Sequence, residues 1–228
     1  MRFREKYLKD MVYGSIDGIV TTFAVVSGVV GASLSYGIII VLGIANLLAD
    51  GFSMATGNYL STRSELEKIG KRRKEYHKEV RDTPELKTKE LEGILKERGF
   101  NDETIKQLVC EITPDKEAWE KFMISESFGE YGSIDPKKTA LATFIAFVIA
   151  GFIPLIAFVL AYSLDVFKEY APIISVISTG LALFFVGTLK ASIVNKKPLR
   201  SGIETLFIGG VAAFVAFLVG FILKGFVS

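Results

Sequence analysis

The chain has 228 residues, half of them hydrophobic, with 27 Lys+Arg, 25 Asp+Glu, a net charge of +2 and a mean hydropathy of +0.40. One cysteine, Cys110, excludes an intrachain disulfide and a CxxC metal site, and one histidine, His77, excludes multi-histidine zinc chemistry. Roughly two-thirds of the charges fall between Thr62 and Lys137, so that segment reads as water-facing and the remainder as membrane.

In chain order, the basic start (Arg2, Arg4, Lys6, Lys9) runs straight into a segment carrying Asp17. No small-residue cleavage site precedes it, so no cleavable signal is expected. Crossing roughly 30 Å of hydrocarbon takes about 20 helical residues. Five stretches meet that need: Tyr13–Leu34, Tyr36–Leu60, Thr139–Tyr162, Ala171–Ala191 and Gly202–Leu223. The first two, joined by small residues around Ser33 and Ser35, are expected to form a tight hairpin. Gly14 and Gly18 fit the small-xxx-small pattern for close helix packing, and Pro154 predicts a kink in the third span.

The central segment is close to charge-neutral, which argues against a nucleic-acid partner. The second helix is expected to run on past Arg63 to about Asp82. Thr83-Pro84 then predicts a capped helix with Leu91, Ile94 and Leu95 as its apolar stripe and Gly99 as its stop. Asn101 predicts the cap of a helix bearing Ile105, Leu108, Val109 and Ile112. Thr113-Pro114 predicts the start of a last one bearing Trp119, Phe122 and Met123. Cys110 is expected in the small core and His77 on an exposed face. The glutamates Glu65, Glu67, Glu75, Glu79, Glu90, Glu120 and Glu126 are expected mostly on solvated faces.

Basic residues set the orientation. Four lie at the N-terminus, none in the first connection and many in the central segment. Lys168 alone follows the third span; Lys190, Lys196, Lys197 and Arg200 follow the fourth; Lys224 ends the tail. The N-terminus and residues 62–137 are therefore expected in the cytoplasm and Ser228 on the opposite side. The expected fold is an all-α integral membrane protein of five transmembrane helices, with a cytoplasmic three-helix domain inserted between the second and third. Its parts are residues 1–61, 62–137 and 138–228.

Asp50 and Met54 lie one helical turn apart in an otherwise apolar span, with Asn46 a turn earlier, so all three share one helix face. A carboxylate at the bilayer centre costs at least ~2.5–3.5 kcal/mol on insertion scales. Asp17 in the first span can reach the same depth as Asp50. Two close carboxylates repel unless a cation or a shared proton holds them. Oxygen ligands with one thioether suit Fe²⁺ or Mn²⁺ better than Ca²⁺ or Mg²⁺. The plainer readings are that Asp17 caps a broken helix, Asp50 bonds a neighbouring hydroxyl and Met54 fills a gap. Glu204, opening the fifth span, fits a proton path or an acid favoured at a helix N-terminus. No Gly-rich phosphate loop, nucleophile elbow or acid–base pair stands out, so neither an organic cofactor nor an enzyme is expected.

Ser15-Ile16-Asp17-Gly18-Ile19-Val20-Thr21-Thr22-Phe23 and Ala45-Asn46-Leu47-Leu48-Ala49-Asp50-Gly51-Phe52-Ser53-Met54-Ala55, followed by Gly57-Asn58-Tyr59-Leu60-Ser61, look like family signatures. With Asp135-Pro136 and Ile203-Glu204, the chain resembles the vacuolar iron transporter family along essentially its whole length. That family is related to the yeast calcium-cross-complementing iron and manganese carriers. The resemblance implies a homodimer moving Fe²⁺, and often Mn²⁺, out of the cytosol in exchange for protons. It implies path residues at Asp17 and Met54, with Asn46 as a polar match. It also implies a metal-binding insert to which Glu79, Glu90 and Met123 correspond. Here the pattern departs: Tyr76 and Lys87 stand where companion glutamates fall, with Glu75 nearby. Ile124 replaces a second methionine, Ser127 stands at a glutamate position with Glu126 beside it, and Asn58 stands where an acid is common.

The expectation is thus a proton-coupled exporter of Fe²⁺ or Mn²⁺, with Asp17, Asn46, Asp50 and Met54 as the path. The alternative is a non-transporting membrane protein whose cytoplasmic helical domain senses metal or binds a partner. Richness in Lys, Glu and Ile favours a prokaryotic plasma membrane over a vacuole.

Overall fold

The computed structural model describes residues 3–128 and 134–226. Arg2 of the basic start and Ser228 of the topology reading lie outside them. The described chain is helical throughout and forms two compact units, Met1–Tyr59 with Pro136–Ser228, and Leu60–Asp135.

In the first unit, α1 (Phe3–Gly31) and the start of α2 (Tyr36–Asp82) are joined by a short turn in which Ser33 takes a left-handed φ of 57°. After the second unit come α6 (Pro136–Gly151), α7 (Ile153–Ser163), α8 (Ala171–Val194) and α9 (Pro198–Leu223). Among the described residues four helices are long and apolar enough to cross a membrane, and α6 with α7 makes a fifth span if the bent pair counts as one. The bend is 46°. It falls at Phe152, two residues ahead of Pro154, because proline lacks the N–H a helix interior needs but is accepted in the first turn of α7. Ser175 of α8 donates its hydroxyl to the Pro154 carbonyl at 2.7 Å, tying the bend to its neighbour.

Between helices in lipid, apolar side chains gain little by meeting one another, so close packing falls to small residues. α1 supplies them. A Cβ on Gly14 would stand 2.7 Å from the Thr143 carbonyl oxygen, and one on Gly18 would collide with the Phe147 backbone. Gly151 of α6 returns the contact, 2.7 Å from the Gly18 carbonyl oxygen by the same construction. Further along, Gly28 and Gly31 meet Ala216, Phe217 and Gly220 of α9. The glycine pair read from sequence thus belongs to an α1–α6 interface. The connection between α1 and α2 is short, and the close backbone approaches of the α1 glycines go to α6 and α9. α2 meets α6 and α7 through side chains, with Gly43 against Leu155, Leu47 against Gly151 and Gly51 against Phe147.

The second unit comprises the C-terminal part of α2 with α3 (Pro84–Glu97), α4 (Asp102–Ile112) and α5 (Lys116–Phe128). Its core joins Tyr76 and Val80 of α2 to Leu91, Leu95, Ile105, Val109, Trp119 and Met123. Ile94, Leu108, Ile112 and Phe122 pack against that core, as the stripes predict. Gly99 ends α3 with φ +87°, and Asn101 Oδ1 accepts from the Thr104 N–H at 2.8 Å. Thr83 stands at the N-cap of α3 with Pro84 in the first turn, as expected, though its hydroxyl donates back to Glu79 O at 3.0 Å and makes no cap bond. One start differs from the sequence reading. Asp115, not Thr113, caps α5, taking the N–H groups of Glu117 and Ala118 at 3.0 Å each, since a carboxylate is the stronger acceptor there. Cys110 is exposed, not in the core, because Ile105, Leu108, Val109 and Ile112 turn the other face of α4 inward.

Gly18→Val should destabilise the protein by about 1–3 kcal/mol, the usual cost of overpacking, because a backbone and not a movable side chain blocks the added atoms. Thermal melts of purified protein in detergent check this, with Gly210→Ala, which faces open space, as the near-neutral control.

Candidate functional site

On α2, Asn46, Asp50, Met54 and Asn58 recur every fourth residue and are all half-buried, so they form one row along a helix face. α1 runs antiparallel and offers Asp10 and Asp17, seven residues apart and therefore near one face. The two rows meet in register. Asn58 Nδ2 donates to Asp10 Oδ1 at 3.0 Å, and the same antiparallel register carries Asp17 and Asp50 to one level two turns deeper. Residues paired this way sum to nearly the same number, as an antiparallel register requires.

Each position has a distinct environment. Asn58 Nδ2 also donates to the buried Thr143 hydroxyl at 2.7 Å, so it ties α1, α2 and α6 together. Met54 packs against the apolar core of the unit. Asn46 Nδ2 is buried with no hydrogen-bond partner, and turning the amide end for end presents its oxygen instead. Asp17 is exposed, and the Thr21 hydroxyl donates to its backbone oxygen at 2.8 Å rather than to its carboxylate. Glu204 lies two turns into α9, with Lys196 Nζ 3.4 Å from its Oε2. Asp10 was not among the sequence-derived candidates. Its signal was the seven-residue step from Asp17, hidden by the basic residues around it.

In the central unit the candidate carboxylates are engaged by the chain's own cations. Lys87 Nζ lies 2.6 Å from Glu79 Oε2 and 2.5 Å from Glu90 Oε2. Arg72 adds a contact to Glu79 at 3.1 Å, and Glu75 lies 3.7 Å from Arg72 and 3.9 Å from Lys71. Arg98 bonds Glu126, and Met123 is buried in the apolar core. Among the described residues no three His, Cys, Asp or Glu side chains converge in a metal-binding arrangement. Glu120, expected on a solvated face, is buried between Arg73 at 2.5 Å and His77 Nδ1 at 3.0 Å. Its neighbour Trp119 turns into the core and draws it against α2.

The model of the VIT family matches residues 8–221. Vacuolar iron transporter 1 of Arabidopsis thaliana is 34% identical over 214 residues, covering 92% of this chain and 83% of that protein. The vacuolar iron transporter of Toxoplasma gondii is 33% identical, covering 96% and 74%. That of Plasmodium falciparum is 32% identical over 228 residues, covering 97% and 84%.

The ion pairs of the central unit carry a pH signature. The bond to Lys87 holds the Glu79 carboxyl below the usual range, against burial and with help from Arg72. Burial works to lower Lys87, but the bonds to Glu79 and Glu90 outweigh it and hold the ammonium above its ordinary range. A depressed carboxyl contributes stability above its unfolded value of about 4.3 and loses it as pH falls through its folded value. A raised ammonium contributes stability below its unfolded value of about 10.4 and loses it as pH rises through its folded one. Circular-dichroism melts should therefore fall on the acid side, and Glu79→Gln should flatten that limb. An identical acid limb in the variant would assign the loss to other carboxylates.

Proposed function

The chain belongs to the VIT family, and from that membership we propose that it is a proton-coupled transporter exporting Fe²⁺, Mn²⁺ or both from the cytosol. It is a multi-pass membrane protein of a transporter family and not an enzyme. The observation that carries the reading is the antiparallel register of α1 and α2, fixed by the Asn58–Asp10 bond, which brings Asp17 and Asp50 to one level. Two carboxylates in mutual range make a place that holds a divalent cation or protons, and each occupant displaces the other. Met54, a turn from Asp50, adds a soft donor that suits a transition metal, and Asn46 a neutral one. Asp10, held by Asn58 nearer the N-terminal end of α1, supplies a carboxylate ahead of that pair.

We assign the N-terminus and residues 62–137 to the cytoplasm, and Glu204, already paired with Lys196, to the edge of the proton route. Five spans follow if α6 and α7 cross as one. The functional unit we propose is a homodimer. Asp17 is exposed on its own chain, and Ala45, Ala49, Ser53 and Gly57 form an exposed small-residue row on α2. A second copy packed there would take the carboxylate out of lipid. The proposed location is a prokaryotic plasma membrane, where export follows the same direction, out of the cytosol, as filling a vacuole. The competing reading, a metal sensor built on the insert, is disfavoured by the pairing of Glu79, Glu90 and Glu126 with lysine and arginine.

In proteoliposomes with an acidic lumen, wild-type protein should take up Fe²⁺ and Mn²⁺ faster than with no pH gradient. Asp17→Ala should abolish uptake, and Met54→Ala should reduce it on the order of tenfold, the loss of one good ligand. Unchanged flux in both variants overturns the path.

A further inference from the structure

Lys87 is only 7% exposed, yet it carries a charge. A buried ammonium survives only where anions surround it, and this one is enclosed. Glu79 comes from α2 and Glu90 from α3, and each places a carboxylate oxygen within 2.6 Å of Nζ. The Tyr76 ring closes a third side, with its centroid 4.9 Å from Nζ. That ring is buried in the unit's core, and its hydroxyl has no hydrogen-bond partner. Arg72 braces Glu79 from the far side at 3.1 Å and lies 5.7 Å from the same ring. Two carboxylates and two cations leave the cluster neutral.

Two carboxylates from different helices, converging on one point beside a phenol, form the oxygen donor set that a divalent ion takes when its remaining positions are filled by water. Here the point is filled from within. A metal ion would bring two more positive charges into a neutral cluster, and it would have to expel an ammonium whose stem is anchored on α3. We infer that Lys87 is the resident cation of a carboxylate site in the central unit, so that Glu79 and Glu90 hold the chain's own ammonium in place of a divalent metal ion. The unit then keeps its fold without metal, and ion handling is confined to the membrane helices. This inference stands on the central unit alone, whichever way the transport reading fares.

The test is equilibrium binding of Mn²⁺ to full-length protein in detergent, counted as ions per chain. Wild type, Glu79→Gln and Glu90→Gln should bind the same number, whatever the membrane helices contribute. Lys87→Ala should bind one Mn²⁺ more than wild type, Lys87→Arg none more, and adding Glu79→Gln to Lys87→Ala should remove the gain. Should Lys87→Ala require metal to elute as a monodisperse species, recovery by Mn²⁺ counts as the gain. A wild-type protein that loses Mn²⁺ on Glu79→Gln or Glu90→Gln overturns the inference, as does a folded Lys87→Ala that gains none. If Lys87→Ala stays aggregated with Mn²⁺ present, the wild-type comparison decides alone.

Discussion

Carboxylates inside hydrocarbon are the constraint on which the rest of the membrane unit depends. Asp17 and Asp50 stand on helices otherwise built of apolar and small residues, and each brings a cost that only a cation, a proton or a polar neighbour offsets. The antiparallel register of α1 and α2 brings them to one level and concentrates that cost there. The four-residue recurrence of Asn46, Asp50, Met54 and Asn58 extends the polar row along α2, and Asp10 extends it along α1. A row so arranged is unfavourable unless a charge or a polar group occupies it, which is the ground on which we propose it as the ion route.

The glycines explain how the helices that carry the row are held. α1 spends its small residues on α6 and α9, where backbones nearly touch at Gly14, Gly18, Gly31 and Gly220. α2 is held by side chains, through Leu155 at Gly43 and Phe147 at Gly51. The two helices that carry the carboxylates are therefore each anchored to other partners as well as to one another. Asn58, bonded to both Asp10 and Thr143, pins the three helices at one end of the row.

Much of this was legible in the sequence, because hydrocarbon imposes long apolar runs and a small helical unit imposes apolar stripes. Leu91, Leu95, Ile105, Val109, Trp119 and Met123 were readable as a core from spacing alone. Asp17, Asp50 and Met54 were readable because charge and sulfur are conspicuous among Ile, Val and Gly. What escaped depends on partners distant in the chain. Glu120 reads as a surface residue until Arg73 and His77 are brought over it. Lys87 reads as a lost ligand until Glu79 and Glu90 are seen to share it. The glycine pair of α1 announces close packing but does not name α6, and Asp10 is masked by the lysines and arginines beside it.

The most direct measurement of the central claim is proton release on metal binding. Mn²⁺ is added to detergent-solubilised protein in weakly buffered solution, and the protons set free are counted against the metal bound. If Asp17 and Asp50 exchange cation for proton at one site, binding releases protons in wild type and releases fewer, with weaker binding, in Asp17→Asn and Asp50→Asn. Binding that releases no protons, or the same number in both variants, would contradict the account.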